Sequence, residues 1–185
     1  MPQLKENEHY TYADYCTWGN CGRWELISGA PFMMAPGPSP LHQNIAGQLY
    51  RKLSDFLDGK QCKVFCAPLD VRLNAENDDD TVVQPDLIIV CDQNKLDERG
   101  CNGTPDMVIE VLSPSSQQRD RFVKFQLYRQ ASVREYWIVD PDNKTIQAHI
   151  LREGDYITYV YGNDDAVPVH IMDGFSIRLA EVFSR

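Results

Sequence analysis

No stretch of this 185-residue chain approaches the roughly 20 consecutive apolar residues that a membrane-spanning helix needs. The first residues, MPQLKENEHY, are polar and lack the apolar centre of a signal peptide, so a cytoplasmic protein is expected. There is no glycine-rich phosphate loop, no G-x-S-x-G, and no cysteine–histidine pair at a telling spacing. Nucleotide-driven and acyl-transfer chemistries are therefore left without support. Positive charge is scarce, with 18 Lys and Arg against 27 Asp and Glu and a net charge of −9. Phosphate binding runs on Lys and Arg, so the bulk composition offers little to a nucleic acid. The 6 cysteines, Cys16, Cys21, Cys62, Cys66, Cys91 and Cys101, would suit disulfides in a secreted chain. Without an export signal they are expected as free thiols. Cys62-x-x-x-Cys66 finds no second pair or spaced histidines to complete a zinc site.

What is present is an ordinary globular composition, 43% hydrophobic and 24% charged, in a length suited to one domain burying about 70% of its extended surface. The acids are clustered: Glu76, Asp78, Asp79 and Asp80 lie in one short turn, and Glu153–Asp173 contains acids but no Lys or Arg. Ser113–Arg134 is the opposite, with Arg119, Arg121, Lys124, Arg129 and Arg134 against Asp120 alone. That segment is either a nucleic-acid face or a solvated helix surface.

In chain order, Tyr12–Trp18 suits a short helix, and Arg23–Ile27 with Pro31–Met34 a hairpin through Ser28-Gly29. A proline-rich break then leads to the best helical pattern, Leu41–Leu57, with Ile45, Leu49, Leu53 and Leu57 on one side. Strands are expected at Lys63–Cys66 and Leu69–Leu73, then at the two Pro-Asp segments, and later at Glu135–Val139, Thr145–Leu151, Tyr156–Tyr161 and Phe175–Arg178. The reading is one α/β domain, a central mixed sheet flanked by helices, with additional β-hairpins. Residues 1–22 are expected as an N-terminal extension and 23–185 as the domain. The β-rich portion after Glu135 is a candidate homodimer surface.

The organising stretch is Gln84–Tyr128. QPDLIIV and TPDMVIEVL are strand-like runs that each carry a carboxylate, Asp86 and Glu110. A buried charge costs several kcal/mol unless a partner or metal compensates it. Alternation puts Asp106, Val108, Glu110 and Leu112 on one strand face. Asp106 lies roughly 13 Å from Glu110 at strand rise, too far to share one ion, and reads as a strand-entry residue. Asp86 can sit beside Glu110 if the two strands pair. Ser-Pro-Ser-Ser then caps a helix at Ser115 or Ser116. A wheel at about 100° per residue gathers Val123, Leu127, Asp120, Ala131, Lys124 and Tyr128 on one side. Two charges on an apolar stripe argue for a site; the alternative is a solvent-exposed i,i+4 pair of Asp120 with Lys124.

The run PDLIIV, TPDMVIEVLSPSS, DRFVKFQLY and VREYWIVDP resembles the Uma family of restriction-endonuclease-like proteins, within the PD-(D/E)XK nuclease superfamily. The likeness extends from WELISGAPFMM near Trp24 to DGFSIRLAEVF near the end. It implies a restriction-endonuclease-like fold and metal-dependent cleavage of nucleic acid, DNA above all. By this resemblance Asp86 and Glu110 bind Mg²⁺ (or Mn²⁺), together with the backbone carbonyl of Val111. The superfamily's E-x-K triplet is absent, since Leu112 fills the lysine position, and the resemblance assigns the amine to Lys124 on the next helix. By analogy His42, Gln43 or Glu25 lends a further residue, and Asp70 is a candidate for a second metal. Arg119, Arg121 and Arg129 are candidate nucleic-acid contacts, and Asp120 is a secondary site candidate. The competing class is a nuclease fold that binds nucleic acid or a protein and no longer cuts.

Overall fold

Three almost unbroken apolar segments become the centre of the molecule, since a strand covered on both faces has no polar side to show. They are Leu87–Val90, Met107–Val111 and Glu135–Asp140, buried at every position. The computed structural model describes residues 8–19, 22–34, 37–114 and 117–184. The chain begins with α1 (Tyr12–Tyr15), β1 (Trp24–Ile27), β2 (Ala30–Met33), α2 (Pro40–Leu57) and β3 (Lys63–Cys66). It continues through β4 (Asp70–Arg72), β5 (Val82–Val83), β6 (Leu87–Val90), β7 (Leu96–Asp97), β8 (Gly100–Asn102) and β9 (Met107–Val111). A π-helical segment, Arg119–Lys124, runs directly into α3 (Phe125–Gln130). The remainder is β10 (Glu135–Asp140), β11 (Thr145–Arg152), β12 (Asp155–Tyr161), β13 (Ala166–Pro168), β14 (Ser176–Arg178) and α4 (Leu179–Val182).

The central sheet has the order β12-β11-β10-β9-β6-β3. It is mixed, with β9 and β10 parallel and the other neighbours antiparallel. Alternation along its strands divides the core. Leu87, Ile89, Met107, Ile109, Val111, Trp137 and Val139 face the stripe of α2 made by Ile45, Leu49, Leu53 and Leu57. Leu49 and Leu53 are fully buried, each worth about 2–3 kcal/mol of burial. Ile88, Val90, Val108, Leu112, Tyr136 and Ile138 face the other way, against Ile27, Val71, Val83 and Tyr128.

Helix α2 begins one residue earlier than expected because Pro40 suits the first helical position, and Ser39 Oγ accepts a hydrogen bond from the His42 N–H at 3.2 Å. The β1–β2 hairpin turns through Ser28 and Gly29, whose φ angles are 49° and 75°, the left-handed pair a two-residue hairpin requires. A Cβ on Gly29 would also meet the His9 ring at 2.2 Å.

The structure adds to the expected hairpins. They assemble with β4, β5, β7 and β8 into a second six-stranded sheet, order β2-β1-β5-β4-β8-β7. Its short strands, such as Val82–Val83, carry too few residues for a periodic signal. Tyr12 and Trp18, from the segment expected as an extension, are buried with Leu26 and Val82. Cys62 and Cys91 form a disulfide, contrary to the expectation of free thiols. The pairing of Lys63 with Val90 puts the two cysteines at adjoining ends of β3 and β6. Cys16, Cys66 and Cys101 are free thiols; Cys21 and the expected caps Ser115 and Ser116 lie outside the described residues. Among the described residues no helix is long and apolar enough to cross a membrane.

Candidate active site

The register of β6 against β9 pairs Leu87 with Ile109 and Ile88 with Val108. Continued one step, it sets Asp86 opposite Glu110, on the face where Ile88, Val108 and Leu112 lie. Like charges directly across a sheet repel, so other groups must compensate them. Asp86 Oδ2 accepts a hydrogen bond from the Val111 N–H at 2.8 Å and lies 3.2 Å from His42 Nε2. Glu110 Oε1 lies 2.8 Å from Lys124 Nζ and accepts from the Tyr128 hydroxyl at 2.8 Å.

The second sheet supplies another acid. On β1, Glu25 shares the face of Ile27 and points into the gap between the sheets, buried to 1% exposure. Its Oε1 lies 2.8 Å from Lys124 Nζ and accepts from the Gln84 N–H at 3.1 Å, while Oε2 lies 3.4 Å from Arg119. Lys124 thus bridges Glu25 of one sheet and Glu110 of the other, with Asp120 at 3.7 Å.

The local cause of this placement is the π-helical segment. An i→i+5 turn is wider than an α turn and commonly marks functional positions. Residues four apart stay aligned, so Asp120, Lys124 and Tyr128 all point inward and are buried. The residue three along leaves the line: Val123, expected on the stripe, is 43% exposed, beside Phe122 at 67%. The Tyr136 hydroxyl donates to the Asp120 carbonyl at 3.0 Å, fixing the segment against β10.

Burial works against every charge here, and neighbouring groups overcome it for Lys124, Glu25 and His42 but not for Glu110. Burial disfavours the Lys124 ammonium, yet Glu110, Glu25 and Asp120 hold its pKa well above the ordinary lysine value. Glu25 is pushed up by burial, but Lys124, the Gln84 N–H and Arg119 outweigh that and keep it below the usual range. Glu110 goes the other way: full burial, with Asp120, Asp86 and Glu25 nearby, raises it well above, despite Lys124. For His42, burial is overcome by Asp86 and the Val111 carbonyl, and its pKa is raised. Among the described residues, Lys124 lies beside Glu25, Glu110 and Asp120, Arg119 beside Glu25, and His42 beside Asp86.

These groups line a cavity of about 980 Å³. Among the described residues no cluster of three or more His, Cys, Asp or Glu side chains forms a ready-made metal site. The donor set nevertheless fits a hard divalent cation. Asp86 and Glu110 offer carboxylate oxygens on one face and Val111 a carbonyl, the oxygen donors Mg²⁺ and Mn²⁺ take.

Asp86, Glu110, Val111, Lys124, Glu25, His42, Gln43, Asp120 and Arg119 come together around this one cavity. Asp70 does not; it lines a separate hollow. Arg121 pairs with the buried Asp140 at 2.8 Å and Arg129 with Asp155 at 3.1 Å. Asp106 accepts from the Cys91 N–H at 2.8 Å and pairs with Arg134 at 3.0 Å, a strand-entry role. Sequence reasoning did not assign roles to Tyr128 and Gln84. For Tyr128 the signal was its place four residues beyond Lys124; for Gln84 none existed.

The same arrangement of chain recurs in other proteins. A crystal structure of a "putative nuclease belonging to DUF820" from Anabaena variabilis superposes with a TM-score of 0.75 at 19% identity, covering 94% of this chain and 97% of that one. At that identity the likeness is one of fold. An uncharacterized protein of Synechocystis is 28% identical over 157 residues, 82% of this chain and 80% of its own length. The family model described as "Putative restriction endonuclease" matches residues 11–180, which takes in both sheets and every acid of the cavity, and the chain belongs to this Uma2 family.

Proposed function

We propose that this protein hydrolyses phosphodiester bonds of nucleic acid, as a metal-dependent DNA endonuclease. The observation that carries the reading is the convergence of Asp86 and Glu110, opposite one another on β6 and β9, with Lys124 held 2.8 Å from Glu110. Asp86, Glu110 and the Val111 carbonyl would hold Mg²⁺ or Mn²⁺, which when bound offsets phosphate charge and acidifies a water. The remaining chemistry belongs to the chain. Lys124, fixed by Glu25 and Asp120, donates from its ammonium to orient the attacking water and to stabilise charge growing on the phosphoryl oxygens. Water adds to phosphorus in line with the leaving group, the P–O3′ bond breaks, and the ends are a 5′-phosphate and a 3′-hydroxyl. One water proton stays on the new phosphate or passes to solvent, and the 3′ oxygen gains one. Arg119, at the cavity, and Arg121 beside it supply positive charge toward the phosphates.

Plasmid nicking with Mg²⁺ or Mn²⁺ tests this, comparing wild type with the Asp86→Ala, Glu110→Ala double variant. Cleavage by the wild type alone, with calorimetric metal binding lost in the variant, is the expected result. If neither protein cuts and neither binds metal, the enzyme reading falls. One observation favours a second reading, a nuclease fold that binds without cutting. Glu110 is already engaged by Lys124 and Tyr128. Binding of DNA without cleavage in either metal would select it.

A homodimer belongs to the proposal. β12 is the edge of the central sheet, and Ile157, Tyr159 and Val160 are 48%, 44% and 64% exposed on it, an edge that invites strand pairing. A monomeric mass by light scattering would remove it. A cytoplasmic setting is also proposed; there Cys62–Cys91 would have to form against a reducing thiol pool, which thiol counting after rapid alkylation in cells would read.

A further inference from the structure

Glu110 and Asp86 are bonded in the same lopsided way. Glu110 Oε1 accepts from Lys124 Nζ and from the Tyr128 hydroxyl, each at 2.8 Å. Its Oε2 has no protein partner among the described residues. Asp86 Oδ2 accepts from the Val111 N–H at 2.8 Å and lies 3.2 Å from His42 Nε2, while Oδ1 has no such partner. Among the described residues, the buried side-chain polar atoms without a partner are His42 Nδ1 and His149 Nε2. The free oxygens of Glu110 and Asp86 are therefore not sealed in the core, and both acids line the same cavity.

Of the two donors on Glu110 Oε1, Lys124 is shared. Its ammonium also meets Glu25 at 2.8 Å and Asp120 at 3.7 Å, and the proposed reaction asks it to reach a water and the phosphoryl oxygens. The Tyr128 hydroxyl is given to Glu110. Its ring is fully buried, edge-on to Tyr136 with centroids 4.8 Å apart, among Ile88, Val108 and Ile138. Tyr128 does not line the cavity, so it serves the site only through Glu110. The terminal torsion of a glutamate is broad and roughly two-fold, whereas a close-packed ring holds one rotamer. A hydroxyl on such a ring fixes which oxygen of the carboxylate faces inward.

We infer that Tyr128 is a positioning residue for the metal, pinning Glu110 Oε1 so that Oε2 alone is offered to the divalent cation; the inference rests on the proposed metal-dependent hydrolysis. A ligand oriented before the ion arrives needs no further ordering. Partners of this kind are commonly worth roughly 10–100-fold in metal affinity. Engagement of Glu110 by Lys124 and Tyr128 is then compatible with metal binding, because it occupies one oxygen of two. The bland alternative is a buried hydroxyl that merely finds a buried acceptor. Such a bond would stabilise the fold and leave metal affinity untouched.

Calorimetry of the full chain with MnCl₂ alone tests it. Tyr128→Phe keeps the ring and removes the hydroxyl, and should weaken Mn²⁺ binding about tenfold. Tyr156→Phe is the control. Its hydroxyl donates to the Val133 carbonyl at 2.9 Å beside the same core layer, and its loss should leave Mn²⁺ affinity within about twofold of wild type. A Tyr128→Phe protein that melts lower without metal yet binds Mn²⁺ as wild type does overturns the inference and leaves the nuclease reading standing. Equal weakening in both variants also overturns it. Infrared difference spectra of the wild type with and without Mg²⁺ give a reading if Tyr128→Phe does not fold. They should show the wide separation of carboxylate stretches that marks coordination through one oxygen. A narrow separation, assigned to Glu110 by its loss in Glu110→Gln, means two-oxygen coordination and overturns the inference. A wild type that binds neither Mn²⁺ nor Mg²⁺ overturns both.

Discussion

Removing the Lys124 ammonium should be among the most damaging single changes in this protein, and the damage should depend on pH in a defined direction. Lys124→Met keeps the methylene stem, so packing changes little. It leaves Glu25 and Glu110, each 2.8 Å from the lost nitrogen, and Asp120 at 3.7 Å, all buried to 4% exposure or less. Removing one partner from a buried ion cluster costs about 3–5 kcal/mol. In a chain of this length each kcal/mol moves the melting temperature by about 2–4 °C, so a fall of about 10 °C is expected at pH 8. Protonation then relieves the repulsion. An acid whose folded pKa lies above its unfolded value gains protons on folding, so its stability contribution is held at low pH and lost as pH rises. Glu110 is already raised in the wild type, and the Lys124 charge that lowers both Glu25 and Glu110 is lost in the variant, so these two are driven higher. The deficit at pH 5.5 should therefore be about half that at pH 8. Urea unfolding of wild type, Lys124→Met, Glu110→Gln and the double variant at both pH values measures it. The double variant should recover part of the loss, a coupling of at least about 1 kcal/mol. A Lys124→Met protein within 1 kcal/mol of wild type at pH 8, with no pH dependence, would refute the reasoning.

Other predictions follow from single contacts. Glu110→Gln retains an acceptor for Tyr128 and removes a carboxylate that burial and the neighbouring Asp120, Asp86 and Glu25 disfavour, so its metal-free melting temperature should equal or exceed the wild type's. Its stabilisation by Mg²⁺, about 1.4 kcal/mol in wild type at tenfold the Kd, should vanish; a clear loss of metal-free stability would mark Glu110 as a structural partner instead. Leu112→Lys with Lys124→Ala should recover part of the stability and cleavage lost in Lys124→Ala, because Leu112 shares the face of Glu110 and lines the cavity; no difference between the two in either assay would refute a shared amine position. His149 is buried against Phe125 and Tyr136, its Nδ1 2.7 Å from Thr158 and its Nε2 without a partner among the described residues. Burial, with the Arg121 charge, lowers its pKa to about 4. A depressed histidine leaves stability intact above the unfolded value near 6.5 and loses it as pH falls toward the folded one, about 3 kcal/mol in all. Differential scanning calorimetry should show His149→Phe losing less between pH 7 and 4.5 than wild type; equal losses would exclude His149 as a source.

Local periodicity in the sequence determined the strand runs 87–90 and 107–111, the α2 stripe from Ile45 to Leu57, and the shared face of Glu110 and Leu112. Alternation and the 3.6-residue repeat act between near neighbours, so they survive in one dimension. The place of Asp86 beside Glu110 was legible only on the condition that the two strands pair, a condition the β6–β9 register meets. Contacts between distant segments were decided by tertiary structure. Glu25 joins the cluster through Lys124 at 2.8 Å and is met by Arg119, 94 residues away along the chain, at 3.4 Å, and His42 meets Asp86 because α2 packs its first turn at the end of β6. The second sheet, built from strands as short as Val82–Val83, leaves no periodic trace. The π-helical segment is likewise absent from any wheel drawn at 100° per residue. In it Lys124 sits between Glu25 and Glu110 and the Tyr136 hydroxyl donates to the Asp120 carbonyl. Phe122 and Val123 face solvent.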